Sequence, residues 1–177
     1  MLIGLESPAQ GPLQGIELKS NFKARTADRY ADALRRIQAH GITVNGCFIL
    51  GLDGHTPDIF REVLEFALEV PLYDVQITVL TAFPGTPLHE RLRREGRILE
   101  PGRWDLCTLF DVNYRPTGMS PEELREGMYW LTEHLYNDDC TRHRRQGFFA
   151  QMRKHRPAPE TAERAGAELV EPMERER

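Results

Sequence analysis

Cysteine is scarce in this 177-residue chain, and Cys47, Cys107 and Cys140 stand far apart with no C-x-x-C pair among them. An odd number of dispersed thiols excludes a disulfide framework and fits a reducing compartment. The same spacing leaves no cysteine motif for a zinc ion or an iron–sulfur cluster. Long apolar runs are also missing: none approaches the roughly 20 residues that a membrane-spanning helix needs. The N-terminus has no charged stretch leading into an apolar core and a cleavage site, so neither export nor a membrane span is expected, and the cytoplasm is the expected location. Charge of one sign is lacking too, because the formal net charge is only -4. A broad phosphate-neutralising face, and with it nucleic-acid binding, is not expected. Nor is there a G-x-G-x-x-G segment or a phosphate-binding loop, and His89-Glu90 does not extend to the H-E-x-x-H of a zinc hydrolase.

What is present reads as an α/β domain. Hydrophobic residues at 40% against 28% charged suit one ordinary globular core. Leu2 to Leu5 is a short strand ending at Glu6-Ser7-Pro8, and residues 9–24 read as a long loop. From Thr26, a plausible N-cap, to His40 the apolar positions Tyr30, Ala33, Leu34 and Ile37 recur at helical spacing, with Gly41 closing the helix. Ile42 to Leu50 is nearly continuously apolar, as in a parallel strand buried on both faces, and stops at Gly51. Thr56-Pro57 opens a second helix, with Ile59, Val63, Ala67 and Val70 on its inner face. Asp74 to Leu80 is a third strand, followed by the turn Phe83-Pro84-Gly85-Thr86-Pro87 and a helix from Leu88 to Glu95.

Beyond Gly102 the pattern changes. Thr108 to Val112 suggests a brief strand broken by Arg115-Pro116. Ser120-Pro121-Glu122-Glu123 is a capping box starting a helix whose buried face is Leu124, Met128, Leu131 and Leu135. Arg142-His143-Arg144-Arg145, with Phe148 and Phe149, reads as a solvated terminal helix with an apolar stripe rather than a phosphate contact. From Arg156 the chain is poor in large apolar residues and is expected to be disordered.

Three parallel strands cannot close a barrel, and the first strand has nothing before it to cover its edge. The alternatives are part of a larger sheet, or a small three-layer domain capped by its own C-terminal helix.

Four stretches decide between them. Ile3-Gly4-Leu5-Glu6-Ser7-Pro8, Gly41-Ile42-Thr43-Val44 with Phe48-Ile49-Leu50-Gly51-Leu52-Asp53, Phe83-Pro84-Gly85-Thr86-Pro87-Leu88 and Leu92 to Leu99 occur in the order and spacing of the second half of the radical S-adenosylmethionine (SAM) barrel. The closest resemblance is to the group that carries a cobalamin-binding domain ahead of the barrel. There the helical domain that follows is entered by a segment similar to Asn113-Tyr114-Arg115-Pro116 and Met119-Ser120-Pro121-Glu122-Glu123-Leu124.

The resemblance implies a parallel partial βα barrel, half of a TIM-like ring, over residues 1–101, a helical C-terminal domain over 102–153 and a tail over 154–177. It implies an intact enzyme that binds SAM, a [4Fe–4S] cluster and cobalamin, acts on a small molecule, and carries out radical chemistry such as methyl transfer. The C-x-x-x-C-x-x-C loop of that family is absent here, so this chain alone is expected to hold no cofactor tightly and to be inactive, with the missing N-terminal half or a second copy as its partner. Which residues would be catalytic is not given.

In the family the carboxyl ends of the strands hold SAM. The matching positions here are Glu6 and Ser7 for ribose hydroxyls or the methionine amine, Ile49 and Gly51 beside adenine, and Leu80 and Thr81 along its ring. Gly51 suits a place where a side chain would block the ligand. Cys47 departs from the pattern by replacing a glycine, and by its place in the strand it reads as a small buried hydrophobe. His55 reads as a solvated loop histidine, and Cys107 and Cys140 as free thiols of no consequence. A competing reading is a non-catalytic interaction module that self-associates through its open strand edge. A complete phosphate-binding enzyme is disfavoured by the missing glycine-rich loop.

Overall fold

The computed structural model describes residues 1–8, 11–13 and 29–155. The Thr26 cap, most of the loop over 9–24 and the tail from Arg156 lie outside the described residues. In chain order the elements are β1 (Leu2–Glu6), α1 (Tyr30–Ala39), β2 (Asn45–Leu50), α2 (Ile59–Glu69), β3 (Asp74–Val79), α3 (Pro87–Arg94), α4 (Pro121–Tyr136) and α5 (Asp138–His155), with short 3-10 turns at Gly11–Leu13 and Trp104–Leu106. The three strands form one parallel sheet in the order β1-β2-β3, the mixed α/β arrangement expected of strand–helix–strand units.

The sheet has two unlike faces. Gly46, Phe48 and Leu50 of β2 and Val75, Ile77 and Val79 of β3 are buried. All but Gly46 join Leu5, Leu34, Val63, Ala67, Leu124, Leu131 and Leu135 in one core. The alternate residues Asn45, Cys47 and Ile49 are only partly buried, and Asp74 and Gln76 are exposed. Register pairs them across the strands, Gly4 with Cys47 and Cys47 with Gln76, then Ile49 with Thr78. The expected burial of β2 on both faces is therefore not observed among the described residues: side chains alternate along a strand, and the described helices cover one side only. Cys47 sits on the open side rather than in the core.

Two edges frame this sheet. The outer edge of β3 is met at both ends, since Val79 N–H donates to Leu109 O at 2.7 Å and the Tyr136 hydroxyl donates to Val75 O at 3.1 Å. Among the described residues β1 pairs with β2 alone.

Three expectations need correcting. The helix opened by Thr56-Pro57 begins its α-pattern at Ile59, because Ile59 N–H bonds back three residues to Thr56 O and winds the first turn more tightly. Thr108–Val112 is not a strand. The Thr108 hydroxyl accepts from the amides of Phe110 and Asp111, both at 3.1 Å, and Leu109 takes a positive φ of 70°; that local turn competes with a ladder and wins. The last helix is not simply solvated: Arg144 and Phe148 are buried, and the Arg145 guanidinium lies 5.0 Å from the centre of the Tyr73 ring. The capping box at α4 forms as read, Ser120 Oγ accepting from Glu123 N at 3.0 Å and Glu123 Oε2 accepting from Ser120 N at 2.7 Å.

Candidate functional site

The carboxyl ends of the three strands point to one side, and the turn after β2 is their hub. Gly51 has φ 81°, and a Cβ there would stand 2.1 Å from the Tyr114 hydroxyl and 2.7 Å from a Leu124 methyl. The same hydroxyl donates to Gly51 O. Glycine is demanded at this position by the chain's own helical segment, which closes over the turn. Burial pushes the Tyr114 phenol well above the usual tyrosine range, so it stays a neutral donor.

His55 is the next tie. It is only 2% exposed, which corrects the solvated reading. Its Nδ1 accepts from Leu52 N–H at 3.2 Å, so the proton resides on Nε2, which donates to Ser7 Oγ at 3.1 Å. The pair couples the end of β1 to the turn after β2. Burial lowers the His55 pKa to about 4. Because the folded pKa is depressed below its ordinary 6.5, the unfolded chain takes the proton first. Stability contributed by neutral His55 is complete above about pH 6.5, is lost as pH falls from there toward 4, and reaches a loss of at most about 3 kcal/mol. Urea midpoints of the wild type should therefore drop between pH 7 and pH 4.5 more steeply than those of His55→Gln. Parallel pH dependence in the two proteins would contradict the assignment.

Asp53 completes the hub. Burial would raise its carboxyl, but Arg97 and Arg91 outweigh that and hold it below the usual range. The contacts are Arg97 to Oδ1 and Arg91 to Oδ2, both at 2.8 Å. Arg97 also donates from Nε to Arg115 O at 2.8 Å, and Gly54 N–H donates to Thr117 Oγ1 at 3.1 Å. The segment 97–119 is thus clamped onto the turn after β2. Sequence reasoning missed this clamp. Its one local signal was a carboxylate two residues beyond Gly51 with two arginines in and after α3.

The six sequence-derived positions divide accordingly. Glu6 ends β1 with φ 67° where the β1–β2 register shifts. A non-glycine residue in this conformation carries backbone strain, a feature that gathers at ligand sites. Its carboxylate adds to the rise that burial causes in the Cys47 thiol, and Cys47 is on the open face with Ile49. Leu80 and Thr81 line a pocket at the end of β3 together with Ala82, His89, Trp104 and Cys107. Ser7 and Gly51 are buried within the hub, where they meet His55 and Tyr114. Among the described residues no three His, Cys, Asp or Glu side chains gather as metal ligands. None of the described helices is long and apolar enough to cross a membrane.

Residues 86–173 match a family described as a domain of unknown function, DUF4070. Over 147 residues, 83% of this chain, the sequence is 26% identical to the bacteriochlorophyllide d C-12(1)-methyltransferase of Chlorobaculum tepidum, covering 31% of that protein. The hopanoid C-2 methylase of Rhodopseudomonas palustris is 31% identical over 56% of this chain and 18% of its own length. An uncharacterized methyltransferase of Synechocystis is 26% identical over 66% of this chain and 21% of its own length. The chain thus spans less than a third of each of these relatives.

Proposed function

Because this chain matches the C-terminal half of a radical SAM protein of the cobalamin-binding-domain group, we propose that its open sheet face is one wall of the SAM cavity in an enzyme that transfers methyl to carbon. The names of two relatives support the reaction class, since each specifies methylation at a carbon position. The observation that carries the reading is the uncovered face: Ile49 beside Thr78, with Glu6 and Gln76 close by, at the end of a parallel sheet where such folds take their ligands.

These residues suit a nucleoside. Ile49 offers an aliphatic surface to a flat base, the Glu6 carboxylate accepts from ribose hydroxyls or an ammonium group, and Leu80 and Thr81 bound the far side. Ser7 and His55 hold the end of β1 and so position Glu6. SAM bound in this cavity would supply the 5′-deoxyadenosyl radical on reductive cleavage, which leaves its methyl on methionine, so the transferred methyl would come from a second SAM molecule. A four-iron cluster does not fit the described part of this chain, whose three cysteines are dispersed, and no cobalamin ligand is assigned here. In this reading both groups are held by the rest of the protein, and β1 of this region is an arc of a longer barrel.

The test uses the intact protein with its cluster reconstituted under anaerobic conditions. On reduction with SAM it should release 5′-deoxyadenosine, and Glu6→Gln should raise the KM for SAM several-fold with a smaller change in kcat. An intact protein that neither consumes SAM nor binds it would refute the proposal. That β1 pairs with β2 alone among the described residues favours a second reading, self-association of the isolated chain. A stable dimer by sedimentation, dissolved by Leu2→Lys and indifferent to SAM, would favour that alternative.

A further inference from the structure

A second concavity lies away from the strand ends that carry the proposed site. α1 and α5 pack against each other and leave between them a groove of about 550 Å³. His40 and Pro71, which precede β2 and β3 in the chain, both line it. Its floor is made of small apolar residues, Ala39, Pro71, Gly147 and Ala150. The walls are fixed by the fold. Gln151 donates to Arg35 O at 2.7 Å, joining α5 to α1. The buried Gln38 donates to Val70 O at 3.0 Å, joining α1 to the turn before β3. A Cβ on Gly147 would stand 2.6 Å from Pro71 Cβ, so glycine is what lets α5 approach that turn.

The rim is cationic, although the whole chain carries a formal charge of -4. Arg35, Arg36 and Lys154 line the groove against one carboxylate, Glu69. Arg35 already holds that carboxylate at 2.7 Å, and meets Asp32, outside the lining, at 3.3 Å. Arg36 on α1 and Lys154 on α5 are exposed, and neither side chain has a hydrogen-bond or ion-pair partner among the described residues. One uncommitted cation on each wall, above an apolar floor, suits a ligand with an acidic group and a small apolar body. From Gly147 to His155 α5 rises only about 12 Å, enough for such a molecule and short for the repeated phosphate contacts of a nucleic acid. We infer that the groove between α1 and α5 binds a small amphiphilic anion, its carboxylate or phosphate held by Arg36 and Lys154 and its apolar part resting on Ala39, Pro71 and Ala150. The groove lies toward the amino ends of the strands, opposite the ends where parallel α/β folds take their substrates. Its occupant is thus a second ligand, distinct from SAM, and its binding does not depend on the function proposed above.

The experiment uses the full 177-residue chain and 8-anilinonaphthalene-1-sulfonate, whose fluorescence rises in apolar surroundings. Neutral N-phenyl-1-naphthylamine offers the same body without the acid. The sulfonate should bind saturably and about tenfold or more tighter than the neutral probe, and Arg36→Gln/Lys154→Gln should weaken it by a similar factor. Arg142→Gln/Arg153→Gln removes the same charge from α5 outside the groove and should leave binding within about twofold. All four residues are exposed, so the urea midpoints should not move, which separates lost binding from lost folding. Octanoate and octyl phosphate should displace the probe, and the stronger competitor identifies the acid that the groove prefers. Equal affinity for the two probes, or equal losses in the two double variants, would overturn the inference. So would displacement by hexaglutamate and by neither octyl compound, which would assign the groove to an acidic protein segment. Because the titration needs no SAM, its failure is distinct from failure of the intact protein to form 5′-deoxyadenosine.

Discussion

Gly51→Ala should lower the stability of the chain by about 2–5 kcal/mol, a large share of the margin of an ordinary domain. Two costs combine. The backbone at φ 81° lies where an L side chain is strained, at about 1–2 kcal/mol. The added methyl would also stand 2.1 Å from the Tyr114 hydroxyl and 2.7 Å from Leu124, and overpacking of this kind costs about 1–3 kcal/mol. Neither neighbour yields easily, since Tyr114 is tied to Gly51 O and Leu124 is fully buried. The double variant Gly51→Ala/Tyr114→Phe removes the oxygen that the methyl strikes, so its loss should be smaller than the sum of the two single losses. Urea unfolding of the four proteins reads this directly. A Gly51→Ala chain as stable as the wild type would mean that the helical segment does not close over the turn.

Replacing Arg144 by Met should cost about 2–4 kcal/mol. Arg144 is 1% exposed, and its two terminal nitrogens donate to Leu72 O at 3.0 Å and Leu135 O at 3.2 Å. It thereby joins α5 to the approach to β3 and to the C-terminal turn of α4. Met fills much of the same volume but donates nothing, so two buried carbonyls lose their partner, at about 1–3 kcal/mol each before relaxation. Arg144→Lys should recover part of the loss, because an ammonium group reaches one carbonyl more readily than both. Arg145→Met is the comparison, since Arg145 is exposed and offers only the Tyr73 ring contact; its loss should stay within about 1 kcal/mol. Equal effects at the two positions would show that the buried ties do not hold α5.

How far the sequence could be read is clear from these same residues. Leu124, Leu131 and Leu135 announced α4 and its buried face through spacing alone, and Ser120 with Glu123 announced its start, because both signals are local. The parallel order of the strands followed from short turns and helical crossovers. What escaped were ties between distant parts of the chain. Asp53 meets Arg97 44 positions on, Ser7 meets His55 48 positions on, and Arg144 reaches Leu72 72 positions back. Nothing in a local pattern distinguishes such a histidine or arginine from a solvated one. The reason for glycine at position 51 was missed for the same cause: the obstructing atoms belong to Tyr114 and Leu124. The open face of β2 was misread because an apolar run records what the strand can bury, not what lies against it.

In the proposed arrangement the open face of the sheet borders the SAM site, and Cys47 lies on that face. Alkylation of the intact protein by iodoacetamide, followed at the level of individual peptides with and without saturating SAM, tests it most directly. SAM should slow modification of Cys47 at least several-fold, while Cys140, on α5, reacts at an unchanged rate. Cys47 modified equally fast in both conditions, in a protein shown to bind SAM, would place the ligand elsewhere and overturn the proposed cavity.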